Sequence, residues 1–456
     1  MRTLPPIKIA VLAALCIVST FDFSVTEPRL DWRTGELVVI LPPPGSLDLQ
    51  FNQHLAALFA AQLGVKLKSL TLYPYQVSKA LARHQADFSA IGMRSNEPDA
   101  AQKFGVPYQT VGESLVCGGK QPTDYAELKT REITVVAGSA QDAALRSARL
   151  SQPGLSWKTI EKTTPNELLE EMDRGQIDCT VANDEQFAIM RNFHPDMETE
   201  FEIATPSELA WSFAPDADAE LYAQMEKFFA RIEEDGTLDR LVDRYYGHSD
   251  RIMPIDAAAF LSKTNTVLPH YRQLFEEAAS LTGIDWQLLA AMSYRESHWN
   301  PLATSYTKVR GMMMLTEDTA DRMNVANRLD ARESIMAGAR YLQLLKEQLP
   351  LRIDEPERTW LALAAYNQGM GHLEDARTLA QRYGMNPDLW VDVQKMMVKL
   401  RNPGIAKTLK HGYARGGEAV VFVETVRLYQ DMLKRLSREE YRQLLPPDYQ
   451  TLLNAW

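Results

Sequence analysis

One glutamate, Glu296, ends an apolar helical run. It is followed by a glycine-led apolar loop, Gly311-Met312-Met313-Met314, and later by Ala365-Tyr366-Asn367-Gln368-Gly369. Asp285 is a good helix N-cap, and the spacing predicts a helix from Trp286 to about Glu296. Leu288, Leu289 and Met292 lie eight, seven and four residues before Glu296, so all four share one helical face. That stripe carries the carboxyl into the interior or into a cleft. Burial disfavours its charged form, so its pKa should rise, which suits a general acid near neutral pH. The chemistry this fits is protonation of a glycosidic oxygen by a single carboxylic acid. An ion pair at the helix end, with Arg295 or His298, is the alternative the residues leave open. The next acids, Glu317 and Asp318, lie beyond the glycine loop, so no clear second carboxylate is near in sequence.

The elements around this run are nearly all helical from Asp256 to Trp456, and Val420-Val421-Phe422-Val423 also fits a helix. The front half alternates instead. Strands are predicted at Glu36–Leu41, Val65–Leu72, Asp87–Ile91, Ile133–Gly138, Trp157–Lys162 and Asp178–Ala182. Helices are predicted at Phe51–Leu63, Val77–Arg83, Gln141–Leu150, Asn166–Arg174, Glu220–Glu234 and Thr237–Tyr246. Strands separated by helices imply right-handed crossovers and a mainly parallel sheet. The change from α/β to all-α marks a boundary near residue 252, within the polar connector around Pro254.

A chain of 456 residues is too long for one core. Arg2 and Lys8 precede an apolar run from Ile9 to Thr20, too short to span a bilayer, which reads as a secretory signal within residues 1–30. A membrane anchor is the alternative. Cys16 lies in that run, but Leu15 stands before it where lipidation would want a small residue. A net charge of −11 argues against nucleic acid. Histidines are scattered, with no CxxC or HExxH, so neither a metal nor another cofactor is expected. Cys117 and Cys179 fit one disulfide or two buried thiols equally well.

Residues 33–250 resemble periplasmic solute-binding proteins of the amino-acid-binding type. The resemblance rests on Gly35-Glu36-Leu37-Val38-Val39, Ala86-Asp87-Phe88, Phe104 to Tyr108 and Gly236-Thr237-Leu238. It implies an α/β two-lobed domain over residues 31–252, with lobe one at about 33–116 and 204–250 and lobe two at about 117–203. Such binders carry an arginine six residues before the Phe-x-x-Pro-Tyr step to clamp a ligand carboxylate. Here that position is Pro98, with Arg94 four residues early. The resemblance therefore implies a cleft for a peptide or muropeptide, or a binding fold kept as a scaffold, in place of a free amino-acid site.

The segment Glu296-Ser297, Asn300-Pro301, Ala303, Ser305, Gly311 and Thr319-Ala320 resembles the soluble lytic transglycosylase domain without a gap. Ala365-Tyr366-Asn367-Gln368-Gly369 and Glu418 with Phe422-Val423 match later steps of that family. The fusion to a solute-binding half resembles a membrane-bound subgroup. This implies an all-α lysozyme-like domain over residues 253–456 that cuts peptidoglycan glycan strands in the periplasm, peripheral on the outer membrane. Glu296 would be the catalytic acid. By the same resemblance Ser305 would bond the sugar, Gly311 would let the backbone approach it, and Met312 and Met313 would form an apolar wall. Tyr366 would place its hydroxyl on Glu296, Asn367 would tie down loops, and Glu418 would line the far side of the cleft or form a surface ion pair. Met314, Tyr306, Lys308 and Phe422 depart from the usual glutamine, proline, glycine and tyrosine. A positive φ at Lys308 would strain it by about a kcal/mol. A goose-type lysozyme hydrolase and an inactive solute-binding sensor are the competing readings.

Overall fold

The computed structural model describes residues 31–96, 101–199, 201–249, 253–306 and 308–444. The signal, Cys16, Pro98 and the boundary near residue 252 lie outside them.

The front half contains β1 (Glu36–Leu41), α1 (Leu49–Leu63), β2 (Lys66–Thr71), α2 (Pro74–Ala82), β3 (Phe88–Arg94), β4 (Lys103–Val111) and β5 (Glu113–Cys117). It continues with β6 (Thr134–Val136), α3 (Ala140–Ser151), β7 (Lys158–Ile160), α4 (Pro165–Asp173), β8 (Cys179–Asn183) and α5 (Asp184–Arg191). Last come β9 (Phe201–Glu202), β10 (Ser207–Phe213), α6 (Ala219–Glu234) and α7 (Thr237–Tyr245). The first lobe is a sheet in the order β2-β1-β3-β10-β4. The second is built on β8-β5-β9 and the parallel pair β6-β7, joined by a bridge from Ile133 to Cys179.

The expected parallel pairing holds for β1 with β2 and with β3 and for β6 with β7. It fails for β10, which runs antiparallel to both β3 and β4, and for β5, antiparallel to β8 and β9. The reason is topological. The chain leaves the first lobe through β4 into β5 and returns through β10, so these strands traverse the lobes in opposite directions and join neighbours without a helical crossover. Burial of an aromatic cluster closes the first lobe, with Trp211 stacked on Phe88 at 4.5 Å and edge-on to Phe229 at 4.8 Å.

Cys117 faces Cys179 across the β5–β8 pair, and the two form a disulfide. The bridge closes a sequence separation of 62 residues, so replacing both cysteines by alanine should lower unfolding free energy by up to about 4 kcal/mol. An unchanged denaturant midpoint for this lobe would contradict that.

The described part of the second half is mainly helical, with isolated antiparallel bridges from Arg310 to Thr304 and to Leu315. It comprises α8 (Pro254–Thr266), α9 (Arg272–Thr282), α10 (Trp286–Ser297), α11 (Glu317–Arg322), α12 (Ala331–Gln348) and α13 (Glu357–Gln368). Then come α14 (Met370–Arg382), α15 (Trp390–Lys399), α16 (Pro403–Ala406) and α17 (Gly416–Leu444). α17 packs on α10, α13 and α15, and Val423, Val426 and Met432 supply its buried face. Phe422, where the family resemblance expects tyrosine, is likewise buried.

α17 also holds the two halves together. The Arg427 guanidinium donates to the carbonyls of Asp243 and Arg244 at 3.1 and 3.2 Å and pairs with Glu424 at 2.7 Å. Trp390 donates its indole N–H to the other oxygen of Glu424 at 2.5 Å. His248 pairs with Asp431 at 2.6 Å. Arg427 and Glu424 are both buried, and each is compensated by the other and by further hydrogen bonds, as buried charges require.

Candidate active site

α10 forms because Asp285 caps it, accepting from the Gln287 N–H at 2.9 Å, and because every residue from Leu288 to Tyr294 is buried. The helix stops when His298 and Trp299 adopt positive φ of 52° and 58°. The Trp299 indole is buried and donates back to the Ala290 carbonyl at 2.8 Å, which fixes this sharp exit. Two consecutive non-glycine residues in the left-handed region are costly and persist only when packing determines them. The strain begins two residues after Glu296.

Glu296 sits in the last turn of α10, partly exposed among buried neighbours. Burial pushes its carboxyl up to about 8, against a smaller opposing pull from Arg295. The carbonyl-rich end of α10 acts in the same direction as burial, because a helix C-terminus disfavours negative charge. Among the described residues, Arg295 is the charged group that moves its ionisation, and no carboxylate contributes. The ion pair that the sequence left open is therefore a minor influence.

Four hydroxyls pin the methionine loop beside it. Ser293 and Ser297, both on α10, donate to the Met312 carbonyl at 3.1 and 2.8 Å. The Met313 N–H donates to Ser334 Oγ at 3.1 Å, and the Tyr366 hydroxyl donates to the Met313 carbonyl at 2.9 Å. Arg328 closes the base by donating to the carbonyls of Lys308 and Leu315, each at 3.0 Å. Burial, then the charge of Glu296, raises the Tyr366 pKa well above its ordinary value, so the hydroxyl remains a donor beside the acid.

Several expected roles change. Tyr366 does lie within electrostatic reach of Glu296, but its donor goes to Met313, because that carbonyl is the buried acceptor needing a partner. Met312 and Met313 are fully buried, so they are core residues and not a sugar-facing wall. Met314, with φ of 47° and partial exposure, is the methionine of the loop that turns outward. Gly311 has φ of +85°, and a Cβ there would meet the Arg328 carbonyl at 1.8 Å and Ser334 Oγ at 2.8 Å. Its close approach is to another protein segment, not to a ligand. Asn367 is exposed and its amide makes no hydrogen bond among the described residues, so it ties down no loop. Glu418 is exposed and pairs with Arg415 at 3.4 Å, the surface ion pair of its two expected forms. Ser305 heads a turn in which the Lys308 N–H donates to its carbonyl at 3.0 Å.

Sequence reading missed Ser293, Ser334 and Arg328, which hold the loop from elements far apart in the chain. Lone serines in helices carry no signal of this kind. The condition under which Lys308 would be strained is met, with φ of 65°. Lys308→Gly should therefore raise stability by about 0.5–1 kcal/mol. A lowered melting temperature would count against that strain.

Residues 273–388 match the transglycosylase SLT domain, and residues 51–248 match bacterial extracellular solute-binding proteins, family 3. The chain is 40% identical over 444 residues to membrane-bound lytic murein transglycosylase F of Methylobacillus flagellatus, with 94% of each chain covered. It is 43% identical over 451 residues to the protein of the same name from Nitrosospira multiformis, covering 95% of this chain and 93% of that one. Among solved structures, an ancestral arginine-binding protein bound to arginine aligns with a TM-score of 0.41 at 19% identity, covering 46% of this chain and 98% of that one.

Proposed function

Because the chain belongs to the membrane-bound lytic murein transglycosylase F family, we propose that Glu296 is the single acid and base with which it cleaves peptidoglycan strands. The bond is the β-1,4 link from N-acetylmuramic acid to N-acetylglucosamine. Glu296 gives its proton to the leaving glycosidic oxygen as the bond to the anomeric carbon breaks. The resulting carboxylate then takes the proton of the muramic 6-hydroxyl, whose oxygen closes onto that carbon. The products are a free 4-hydroxyl and a 1,6-anhydro end, water is not consumed, and Glu296 regains its proton. The enzyme is in that sense a lyase.

The observation that carries this reading is a partly exposed carboxyl at the end of α10 raised to about 8 by burial, with the next acids in the chain, Glu317 and Asp318, on a separate helix, α11. Hydrolytic glycosidases need a second carboxylate, roughly 5–9.5 Å from the first, to attack or to activate water. A proton donor that must be neutral works below its pKa. Turnover should therefore fall as pH rises through about 8, and this group imposes no loss below that value. A rate on purified sacculi that climbed through pH 8 would contradict the assignment.

The same reading makes the chain a periplasmic protein, peripheral on the inner face of the outer membrane. The relatives are membrane-bound by name, and among the described residues no helix is long and apolar enough to cross a membrane. The lobes of the front half, residues 31–252, would hold a peptide or muropeptide between them, and residues 253–456 would carry the chemistry.

A further inference from the structure

The cleft between the two lobes is lined by residues of both, among them Asp48, Asn52 and Tyr108 from the first and Gln141, Thr164 and Glu185 from the second. Its walls are unusual in charge. Asp48 and Glu185 line it, while no lysine, arginine or histidine does among the described residues. Arg94, the nearest equivalent of a carboxylate clamp, is buried elsewhere. It donates to the Thr205 carbonyl at 3.0 Å and to Ser207 Oγ at 2.7 Å, where β10 begins.

We propose that this cleft takes its ligand through a protonated amine, held by Asp48 and Glu185, with no basic side chain among its described lining to pair with a free carboxylate. The proposal rests on reading the front half as a ligand-binding domain, and it adds the sign of the charge that domain selects.

Asp48 supplies the second, independent observation. It occupies the N-cap of α1, where an aspartate ordinarily accepts from its own helix, yet its side chain makes no such bond. It is turned across the cleft instead. Its oxygens accept from Gln186 of the opposite lobe at 3.1 Å and from the Tyr246 hydroxyl at 3.3 Å. Among the described residues Glu185 accepts only a long contact from Gln109 at 3.5 Å. Each ionised carboxylate has room for further donors, and an ammonium offers three.

Burial pushes both carboxyls up, Glu185 to about 7, where Asp184 and Asp48 add like charge. Arg435 of α17 offsets this weakly at Asp48. A cation in the cleft would relieve the desolvation and the repulsion together, whereas an anion would meet both. Phe51, Leu47, Ile91 and Leu209 offer apolar contact for the body of such a ligand, and Asn52 and Gln141 offer neutral polar contacts.

The test is calorimetric titration of the full chain at low salt with three five-carbon probes: cadaverine, pentane-1,5-diol and glutarate. Cadaverine should bind, and the diol and the diacid should not. Asp48→Asn and Glu185→Gln should each weaken cadaverine by about tenfold or more. Asp48 also joins the lobes, so Glu185→Gln, which removes little structure, is the decisive variant if Asp48→Asn unfolds. Glutarate binding as tight as cadaverine would overturn the charge preference and leave the cleft as a ligand site. Cadaverine binding unchanged in Glu185→Gln would overturn the proposal as well. Silence from all three probes would remove both the preference and the site.

Discussion

Glu296→Gln is expected to cut the release of soluble fragments from purified sacculi by about a thousandfold or more, the scale on which a positioned acid–base group contributes. The amide has nearly the shape of the acid but can neither give nor take the proton, so both half-reactions stop. Stability should move the other way. The ordinary carboxyl value is 4.5 and the folded value about 8. Below 4.5 the group is neutral in both states. Between the two values the unfolded chain releases a proton that the folded chain keeps, so native stability falls as pH rises through that window. An amide at this position avoids the loss, and the variant should be more stable than the parent at pH 7 by about 1–3 kcal/mol, allowing for the residual exposure of the side chain. An inactive variant that was also less stable would identify Glu296 as a structural residue. An active one would remove it from the chemistry.

Gly311→Ala is expected to be the most damaging small substitution in the loop. Its methyl would sit 1.8 Å from the Arg328 carbonyl, a backbone atom that cannot swing aside, and φ of +85° would strain any L side chain. Overpacking and backbone strain each cost about 1–3 kcal/mol, so a loss of about 3–5 kcal/mol is expected. The same methyl would press on Ser334 Oγ, which accepts from the Met313 N–H. Activity should therefore fall even where the variant remains folded. A near-parental melting temperature would show that the segment carrying Arg328 yields easily, and that the loop is not held as described.

Much of this architecture is local enough to read from the chain. The cap at Asp285, the stripe through Leu288, Leu289 and Met292, and the rise in the Glu296 pKa follow from helical spacing and burial alone. The strand Glu36–Leu41 and most of the alternating pattern behind it are also where hydrophobic periodicity puts them. β4, β5, β9 and β10 are not among the strands that periodicity predicts, and periodicity says nothing about strand direction, so the antiparallel pairings of β10 and β5 escaped the parallel expectation.

The failures at the site share one cause. Family likeness marks which positions matter, but not which way a side chain points. Met312 and Met313 are apolar and belong to the loop that follows the acid's helix, yet the loop turns them inward and leaves its carbonyls to be bonded by Ser293, Ser297 and Tyr366. Gly311 is required, but the neighbour that requires it, Arg328, lies in a segment no sequence pattern connects to it. Glu418 at the start of α17 needed only an exposed surface and Arg415 to become an ordinary ion pair.

The most direct test is the mass of the fragments released from purified sacculi by the parent enzyme. If the muramic 6-hydroxyl displaces the leaving oxygen from a site with Glu296 as its only acid, every new chain end is one water lighter than a reducing sugar, and none takes up label from isotopic water. Ends carrying the full reducing mass, with label incorporated, would mean that water is the nucleophile and that a second group activates it.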